Sequence, residues 1–329
     1  MYRLKCPHCR SSNVKKNGLH HGVQLYKCKD CNRQFLGNHR RLVPSLVAQA
    51  YLKHKQTIRE MATLYHVSTS TIRRHLHQWH AEWEQPRLCN RQGYVHIDVT
   101  YWGHNDGLML ALDAQSGDVL YLSFIKHETL QDYRDAVQAI EEAGYRIQGI
   151  IIDGTPCLFA EFQRFPIQMC QFHMLQIIKR YLTKKPKMNA AKELLQLCRN
   201  MITMPKDIFV AQYEEWKNRW HDFLNKRTVH RDGKSYFLHR RVRSAMHRLD
   251  VYVPYLFTFQ RPDCMGMPNT NNKIEGVFSD LKHHLNNHNG LTFEHRKQFI
   301  VGYFRNRNGH DNFLFLGLRS MRLGEPRNF

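Results

Sequence analysis

The sequence predicts an α/β chain centred on a mixed five-stranded sheet, preceded by a cysteine-knuckled ribbon and a set of short helices. Three observations predict it. Two Cys-x-x-Cys pairs open the chain, at Cys6-Pro-His-Cys9 and Cys28-Lys-Asp-Cys31. Apolar residues then recur at helical spacing as far as Trp79. From Gly93 the pattern changes to alternating, β-rich runs, a helix, and the continuous apolar run Ile150 to Ile152. Short alternation marks half-buried strands, and an uninterrupted apolar run marks a strand covered on both faces.

The cysteine pairs come first. Eighteen residues separate them, which fits the spacing of a structural zinc site. Four thiolates, Cys6, Cys9, Cys28 and Cys31, close a tetrahedron and leave no open position for catalysis. Between them, "NVKKNGLHHGVQLYKC" reads as short strands with a turn at Asn17-Gly18. Residues 1–36 are therefore expected to form a zinc ribbon. His8 lies inside the first knuckle and reads as a bystander. A thioredoxin-like redox site needs a single such pair beside a βαβ unit, and that context is missing. The nine cysteines are odd in number, which argues for a reducing cytosol rather than a disulfide framework.

Residues 40–85 read as a helix-turn-helix. "PSLVAQAYLKHK" is one helix, and "TIREMATLYHVSTSTIRRHLHQWH" is helix, tight turn, helix. Ile58, Met61, Ala62 and Tyr65 supply one apolar stripe; Ile72, Leu76 and Trp79 supply the next, and Val67 fills the turn. Ser68 is placed to cap the last helix. Thr69, Ser70, Thr71, Arg73 and Arg74 then fall on its exposed early face, where such helices reach base edges and phosphates. His66 stands where a turn glycine is usual. The alternative is a plain three-helix bundle with a solvated basic face. Pro86 to Gly93 reads as a linker.

Charge supports a polyanionic partner. The chain of 329 residues carries a formal net charge of +21. Lys and Arg exceed Asp and Glu by 12 over residues 1–90 (16 against 4) and by 15 over 171–329 (28 against 13). Over 91–170 the balance is −6 (5 against 11). Basic flanks suit a phosphate backbone. An acidic middle beside bound phosphate makes sense where cations sit between them; the alternative is acids scattered over a solvated face. The start, "MYRLKCPHC", lacks the apolar region of a signal peptide. The apolar run near "VYVPYLFTF" is far short of the roughly 20 residues a membrane span needs.

In the middle, "GYVHIDVTYW", "DGLMLALDAQSG" and "DVLYLSFIKH" are three strands suited to an antiparallel meander. "TLQDYRDAVQAIEEAG" is a helix ending at Gly144; it supplies the crossover to a parallel fourth strand, "RIQGIIIDGTP". "FPIQMCQFHM" is a short fifth strand running into a helix. Asp98 interrupts the first strand, and Asp153 ends the fourth with Gly154 behind it. Aspartate is a poor strand residue and costly to bury unpaired, so two on adjacent strands point to a divalent cation. A third carboxylate would hold a second ion. Asp113 is a candidate, although its turn explains it. Asp106 and Asp118 read as strand-end residues, and Glu128 and Glu161 as surface residues.

The other candidate is Glu275, in "NTNNKIEGVFSDLKHHLNNHNG". Ile274, Val277, Phe278, Leu281 and Leu285 make this an amphipathic helix. Glu275 borders the buried face, where a carboxylate can look into a sheet edge. It also stands three residues after Asn272, a capping-box spacing. Both roles stay open on pattern alone.

The order Asp98, Asp153, Glu275 resembles the DDE triad of ribonuclease-H-like transposases. With "IDVTYW", "IIIDGTP", the Cys170-x-x-His173 element and "NTNNKIEG", the chain most resembles a bacterial insertion-sequence transposase of the Mutator-like family, from about residue 90 to 310. The resemblance implies a catalytic core over 91–170 and 269–329, interrupted by an all-helical insertion over 171–268. It implies that Asp98, Asp153 and Glu275 hold two Mg²⁺ or Mn²⁺ ions. It implies Mg-dependent cleavage at the terminal inverted repeats of an element and in-line attack of the freed 3′-OH on target DNA, in the bacterial cytosol. The partners implied are double-stranded DNA and further copies of the chain, at least a dimer. Trp216, Trp220, Arg241 and Arg243 stand in the insertion as candidate DNA clamps, the tryptophans fitting a core equally well. Cys170 and His173 supply only two ligands and suit a structural or DNA-positioning role. Two rivals stay open: a non-enzymatic zinc-ribbon and helix-turn-helix regulator, and a nuclease of the same fold.

Overall fold

The computed structural model describes residues 4–20, 23–36, 44–53, 56–77, 82–153, 156–229, 233–288 and 291–308. It divides into two compact units, Met1–His80 and Ala81–Phe329.

The first unit begins with an antiparallel three-stranded sheet in the order β1-β2-β3: β1 (Val14–His20), β2 (Val23–Cys28) and β3 (Gln34–Leu36). Asn17-Gly18 is not the turn between strands. The pair lies inside β1, where the register against β2 slips between Lys16 and Leu19 and Gly18 sits at φ +80°. A glycine at positive φ serves a bulge as readily as a turn.

Three helices follow, α1 (Pro44–Lys53), α2 (Ile58–Leu64) and α3 (Thr69–His77). Thr57 and Glu60 start α2 with a reciprocal capping box. Its end is closed by the chain itself. The N–H of Val67 donates to the Ala62 carbonyl (2.9 Å) and that of His66 to the Thr63 carbonyl (3.2 Å). His66 takes the left-handed conformation (φ +52°) that glycine usually fills in this motif. Ser68 Oγ accepts from the Thr71 N–H at 3.1 Å and caps α3 as expected. Met61, Ala62 and Ile72 are buried, and Tyr65, Val67 and Leu76 half-buried. Trp79 lies outside the described residues.

The second unit is built on β4 (Arg91–Tyr101), β5 (Gly107–Asp113), β6 (Val119–Ile125), β7 (Tyr145–Ile152) and β8 (Ile167–Met169). Their order is β6-β5-β4-β7-β8, antiparallel through the meander and parallel from β4 to β8. The crossover is α4 (Leu130–Glu142); a short α5 (Pro156–Glu161) links β7 to β8. Gly144 ends the α4 turn at φ +92°. One face of β4 and β7, including Val95, Ile97, Ile150 and Ile152, packs with Tyr133, Val137 and Ile140 of α4 in the main core.

After β8 come α6 (Gln171–Leu182), α7 (Asn189–Asn200), α8 (Lys206–Arg219), α9 (His221–Asn225), β9 (Arg227–Val229), β10 (Ser235–Phe237) and α10 (Arg240–Leu256). The insertion is thus not entirely helical: β9 and β10 pair antiparallel. The local chemistry explains it. β-Branched and aromatic residues flank Asp232-Gly233, a hairpin turn signal that breaks helical periodicity. Two 3-10 turns lead to α11 (Asn272–Asn286) and α12 (Phe293–Arg307). Among the described residues, no helix is long and apolar enough to cross a membrane.

Candidate functional site

Side chains alternate across a strand, so His96 and Asp98 point away from the face that carries Val95 and Ile97. That second face is where α11 packs on β4. The parallel register runs Val95 to Ile150 and His96 to Ile151, and two further steps set Asp98 beside Asp153. On the far side, Ile152 pairs with Met169, so the next step sets Asp153 beside Cys170. Three neighbouring strands thus deliver Asp98, Asp153 and Cys170 to one row. Gly154 lies outside the described residues.

Helices complete the row. His173 Nε2 lies 3.6 Å from Asp153 Oδ2 and 3.6 Å from Glu275 Oε1. The ligand atoms of Cys170, His173 and Glu275 all lie within 4.8 Å of one another. Asp98 is 9% exposed and accepts the Val99 N–H at 2.8 Å. Burial raises its carboxyl well above the ordinary range. The negative charge of Asp153 adds to that, the Val99 bond opposes it, and Glu275 and Glu128 add further. Asp153, Glu275 and Glu128 are thus near enough for their charges to act on Asp98.

The donors fit a divalent cation. Among the described residues, the ion pairs of Asp153 and Glu275 go to His173 alone. Glu275 Oε1 is buried without a hydrogen-bond partner. Like charges crowded in a low-dielectric place cost energy unless paired. Carboxylate oxygens suit hard cations such as Mg²⁺ or Mn²⁺.

Cys170 plays a different part. It is fully buried at the N-terminus of α6, and its Sγ accepts the Asn271 N–H at 3.2 Å. Burial pushes the thiol up to about 11, against the pull of N–H groups from His173, Asn271 and Phe172. It is a neutral acceptor that stitches the α11 approach to β8. His173, one turn on, is the member of the Cys-x-x-His element that faces the carboxylates.

Sequence reading missed His96 and Asn271. Asn271 is fully buried and its Oδ1 lies 2.8 Å from His96 Nδ1. The helix begins at Asn272, so Asn271 is the residue before it, and its side chain makes no cap bond. The expected capping box between Asn272 and Glu275 does not form. Its physical reason is the pull of buried His96 on Asn271 and a start one residue earlier than the box requires. Glu275 is left free to face the sheet.

The rival carboxylates are occupied elsewhere. Asp113 accepts from Gln115 and Ser116 N–H, the Tyr145 hydroxyl and Arg91. It pairs across the sheet with Val95, whereas Asp98 pairs with Leu110. Asp106 meets Arg296, Asp118 meets Arg91, and Glu161 meets Arg134. Trp216 is buried with Nε1 on the Ala190 carbonyl (3.0 Å), and Trp220 Nε1 donates to Glu193 (2.9 Å). Arg243 packs over Phe237 and donates to the Leu224 carbonyl, and Arg241 donates to the Arg180 carbonyl. The two tryptophans and Arg243 are built into the insertion.

In the first unit, Cys6 Sγ lies 3.6 Å from Cys31 Sγ, and Cys9 Sγ 3.5 Å from Cys28 Sγ. A tetrahedron with Zn–S of about 2.3 Å has S–S edges of about 3.8 Å, so the cluster is compatible with one zinc ion. His8 stands outside it, against Arg33. On α3, Ser70, Arg73 and Arg74 are exposed and Thr69 and Thr71 half-exposed; Ser68 Oγ and Thr71 Oγ1 bond each other at 3.0 Å.

No family model matches the chain, and no curated protein matches it. Solved structures give weak likenesses. The HTLV-2 integrase catalytic core domain in complex with magnesium (dimeric form) is 23% identical, covering 49% of this chain and 98% of that one, at a TM-score of 0.20. The Drosophila P element transposase strand transfer complex is 12% identical, covering 86% and 88%, at 0.34. The simian T-cell lymphotropic virus intasome with a PP2A regulatory subunit is 17% identical, covering 47% and 65%, at 0.21. The fold is set by the strand order. A β6-β5-β4-β7-β8 sheet, with an antiparallel meander continued by parallel strands, is the ribonuclease-H-like arrangement.

Proposed function

We propose that the chain is a DNA transposase of the DDE type, resembling the Mutator-like insertion-sequence enzymes and working in the bacterial cytosol. The observation that carries the reading is the grouping of three carboxylates: Asp153 and Glu275 both border His173, and the buried Asp98 feels the negative charge of both, without a lysine or arginine partner among the described residues. Asp98, Asp153 and Glu275 would hold two Mg²⁺ or Mn²⁺ ions, which when bound activate the attacking oxygen and stabilise the leaving one.

The chain's own residues supply the rest. β4 and β7 fix Asp98 and Asp153 on a rigid sheet, and α11 brings Glu275 to them. His173 borders both Asp153 and Glu275 and limits their approach. The zinc ribbon (1–36) and the helix-turn-helix (40–85) bind the element ends, with Ser68, Thr69, Ser70, Thr71, Arg73 and Arg74 of the α3 region at the DNA. Two ends must meet before joining, so the working form is an oligomer, at least a dimer. The core spans 91–170 and 269–329, with the insertion at 171–268.

The test is Mg²⁺-dependent cleavage and joining of a duplex bearing both element ends, with Glu275→Gln beside wild type. Loss of both activities with DNA binding retained supports the reading. Cleavage without joining by the wild type assigns a nuclease. Tight binding without either reaction assigns a regulator.

A further inference from the structure

The turn between α6 and α7 has an unusual backbone. Thr183 ends α6 at φ +70°, ψ 168°, a region that is essentially glycine-only. A β-branched residue held there is a strong outlier. The turn that follows, Lys184-Lys185-Pro186-Lys187, is cationic and stiffened by its proline.

A cleft of about 620 Å³ opens between this turn and α7. Lys184, Lys185, Lys192 and Arg199 line it. All four are exposed. Glu193 is the one acid in the lining, and it is already engaged by Arg219 and by the indole N–H of Trp220. Arg199 donates to the Lys184 carbonyl at 3.5 Å, so its guanidinium leans over the turn. Outside the cleft, Arg241 donates to the Arg180 carbonyl, which places two more exposed cations near the end of α6. The ammonium groups of Lys184 and Lys185 meet no acid within ion-pair distance among the described residues. Packing does not require this grouping, and mutual repulsion opposes it.

We propose that this cleft is a binding site for the phosphate backbone of DNA, separate from the carboxylate row and from the first unit. The inference rests on DNA being the substrate, and it deepens that reading by naming where the second unit grips the duplex. Lysine and arginine without fixed acidic partners match a uniform line of phosphates. Such contacts position the duplex and carry no sequence information.

The experiment measures binding of the full chain to a duplex of arbitrary sequence by fluorescence anisotropy across a NaCl series. Wild type is compared with Lys184→Ala/Lys185→Ala, with the charge-keeping Lys184→Arg/Lys185→Arg, and with Lys126→Ala/Arg146→Ala, which removes two exposed cations elsewhere. Each phosphate contact contributes about 0.9 to the slope of log K against log salt, so the cleft variant should lose about 1.8. Its affinity at fixed moderate salt should fall on the order of ten-fold. The arginine pair should keep the wild-type slope, and so should the control pair.

An unchanged slope in the cleft variant overturns the proposal. So does an equal loss in the control pair, which would mean diffuse charge. Loss of polyglutamate binding with the DNA slope intact assigns the cleft to an acidic protein segment and overturns it as well. Cleavage and joining by the wild type are scored in parallel. A shifted slope with no wild-type reaction keeps the cleft and removes the transposase reading. A wild-type reaction with no shift does the reverse.

Discussion

Asn271 Oδ1 sits 2.8 Å from His96 Nδ1, and this one contact ties the strand of Asp98 to the start of the helix of Glu275. The same Asn271 donates its N–H to Cys170 and accepts from the Glu275 N–H through its carbonyl. The segments that carry Asp98, Cys170 and Glu275 therefore meet at one buried residue. Asn271→Ala should leave His96 unpaired and cost about 1–3 kcal/mol of stability. It should also raise the Mg²⁺ concentration needed for half-maximal cleavage, because Glu275 is set by that junction. Denaturant unfolding and a Mg²⁺ titration check the two effects. Full stability with a normal Mg²⁺ response would show that the junction is dispensable.

Asp113 gives a pH prediction. Burial alone would raise its carboxyl, but the N–H groups of Ser116 and Gln115, the Tyr145 hydroxyl and Arg91 outweigh it and hold it below the ordinary value. In the unfolded chain an aspartate titrates near about 3.9. Between that value and the lower folded one, the unfolded chain binds more protons, so stability falls as pH falls. The contribution is fully present above about pH 5 and is lost progressively as pH falls through the lower folded value. Asp113→Asn should cost about 1–3 kcal/mol at neutral pH, with the gap to wild type closing as pH drops toward 3. Unfolding curves of both proteins from pH 6 to 3 measure the gap; a constant gap would contradict the assignment.

Some of this was legible in the sequence, for a physical reason. Cysteine knuckles, strand alternation and the Ser68 cap are set by residues close in the chain, so spacing reveals them. Asp98 and Asp153 stood out because a strand rarely tolerates a lone carboxylate. The His96 contact was hidden because its partner lies 175 positions away. The β9–β10 hairpin was hidden by the helical pattern on either side. The role of Glu275 turned on a single residue of helix start, which local pattern does not resolve.

Removing zinc should unfold the ribbon and leave the β4–β8 sheet as it is. The four cysteines crowd together, and the apolar core beside them is small: Cys6, Cys28 and Phe35 form it, with Leu4, Val14, Tyr26 and Cys31 packed around. So few apolar contacts cannot hold a ribbon without a metal. Chelation, or Cys9→Ser, should release one zinc per chain. It should also abolish amide-exchange protection in β1 and β2 while the β4–β8 sheet keeps its own. Metal content by atomic absorption and hydrogen exchange measure both. Protection that survives loss of zinc would show that the ribbon folds on side-chain packing alone.

Trp216 tests whether the insertion's aromatics serve DNA or the core. It is 4% exposed, stacks against Tyr213 at 6.1 Å and donates its indole N–H to Ala190 at the start of α7. A large buried ring with a satisfied N–H is a packing residue. Trp216→Ala should therefore destabilise the second unit by about 3–5 kcal/mol. Trp216→Phe fills most of the space and loses the bond, so its cost should be smaller. In that folded variant, DNA affinity and its salt slope should equal wild type, because the ring is buried in the insertion. Calorimetry and anisotropy on the phenylalanine variant decide the point. A DNA defect without a stability defect would mean that the helices around α8 open to expose the indole when DNA binds, and the insertion would then have to be read as a moving clamp rather than a fixed scaffold.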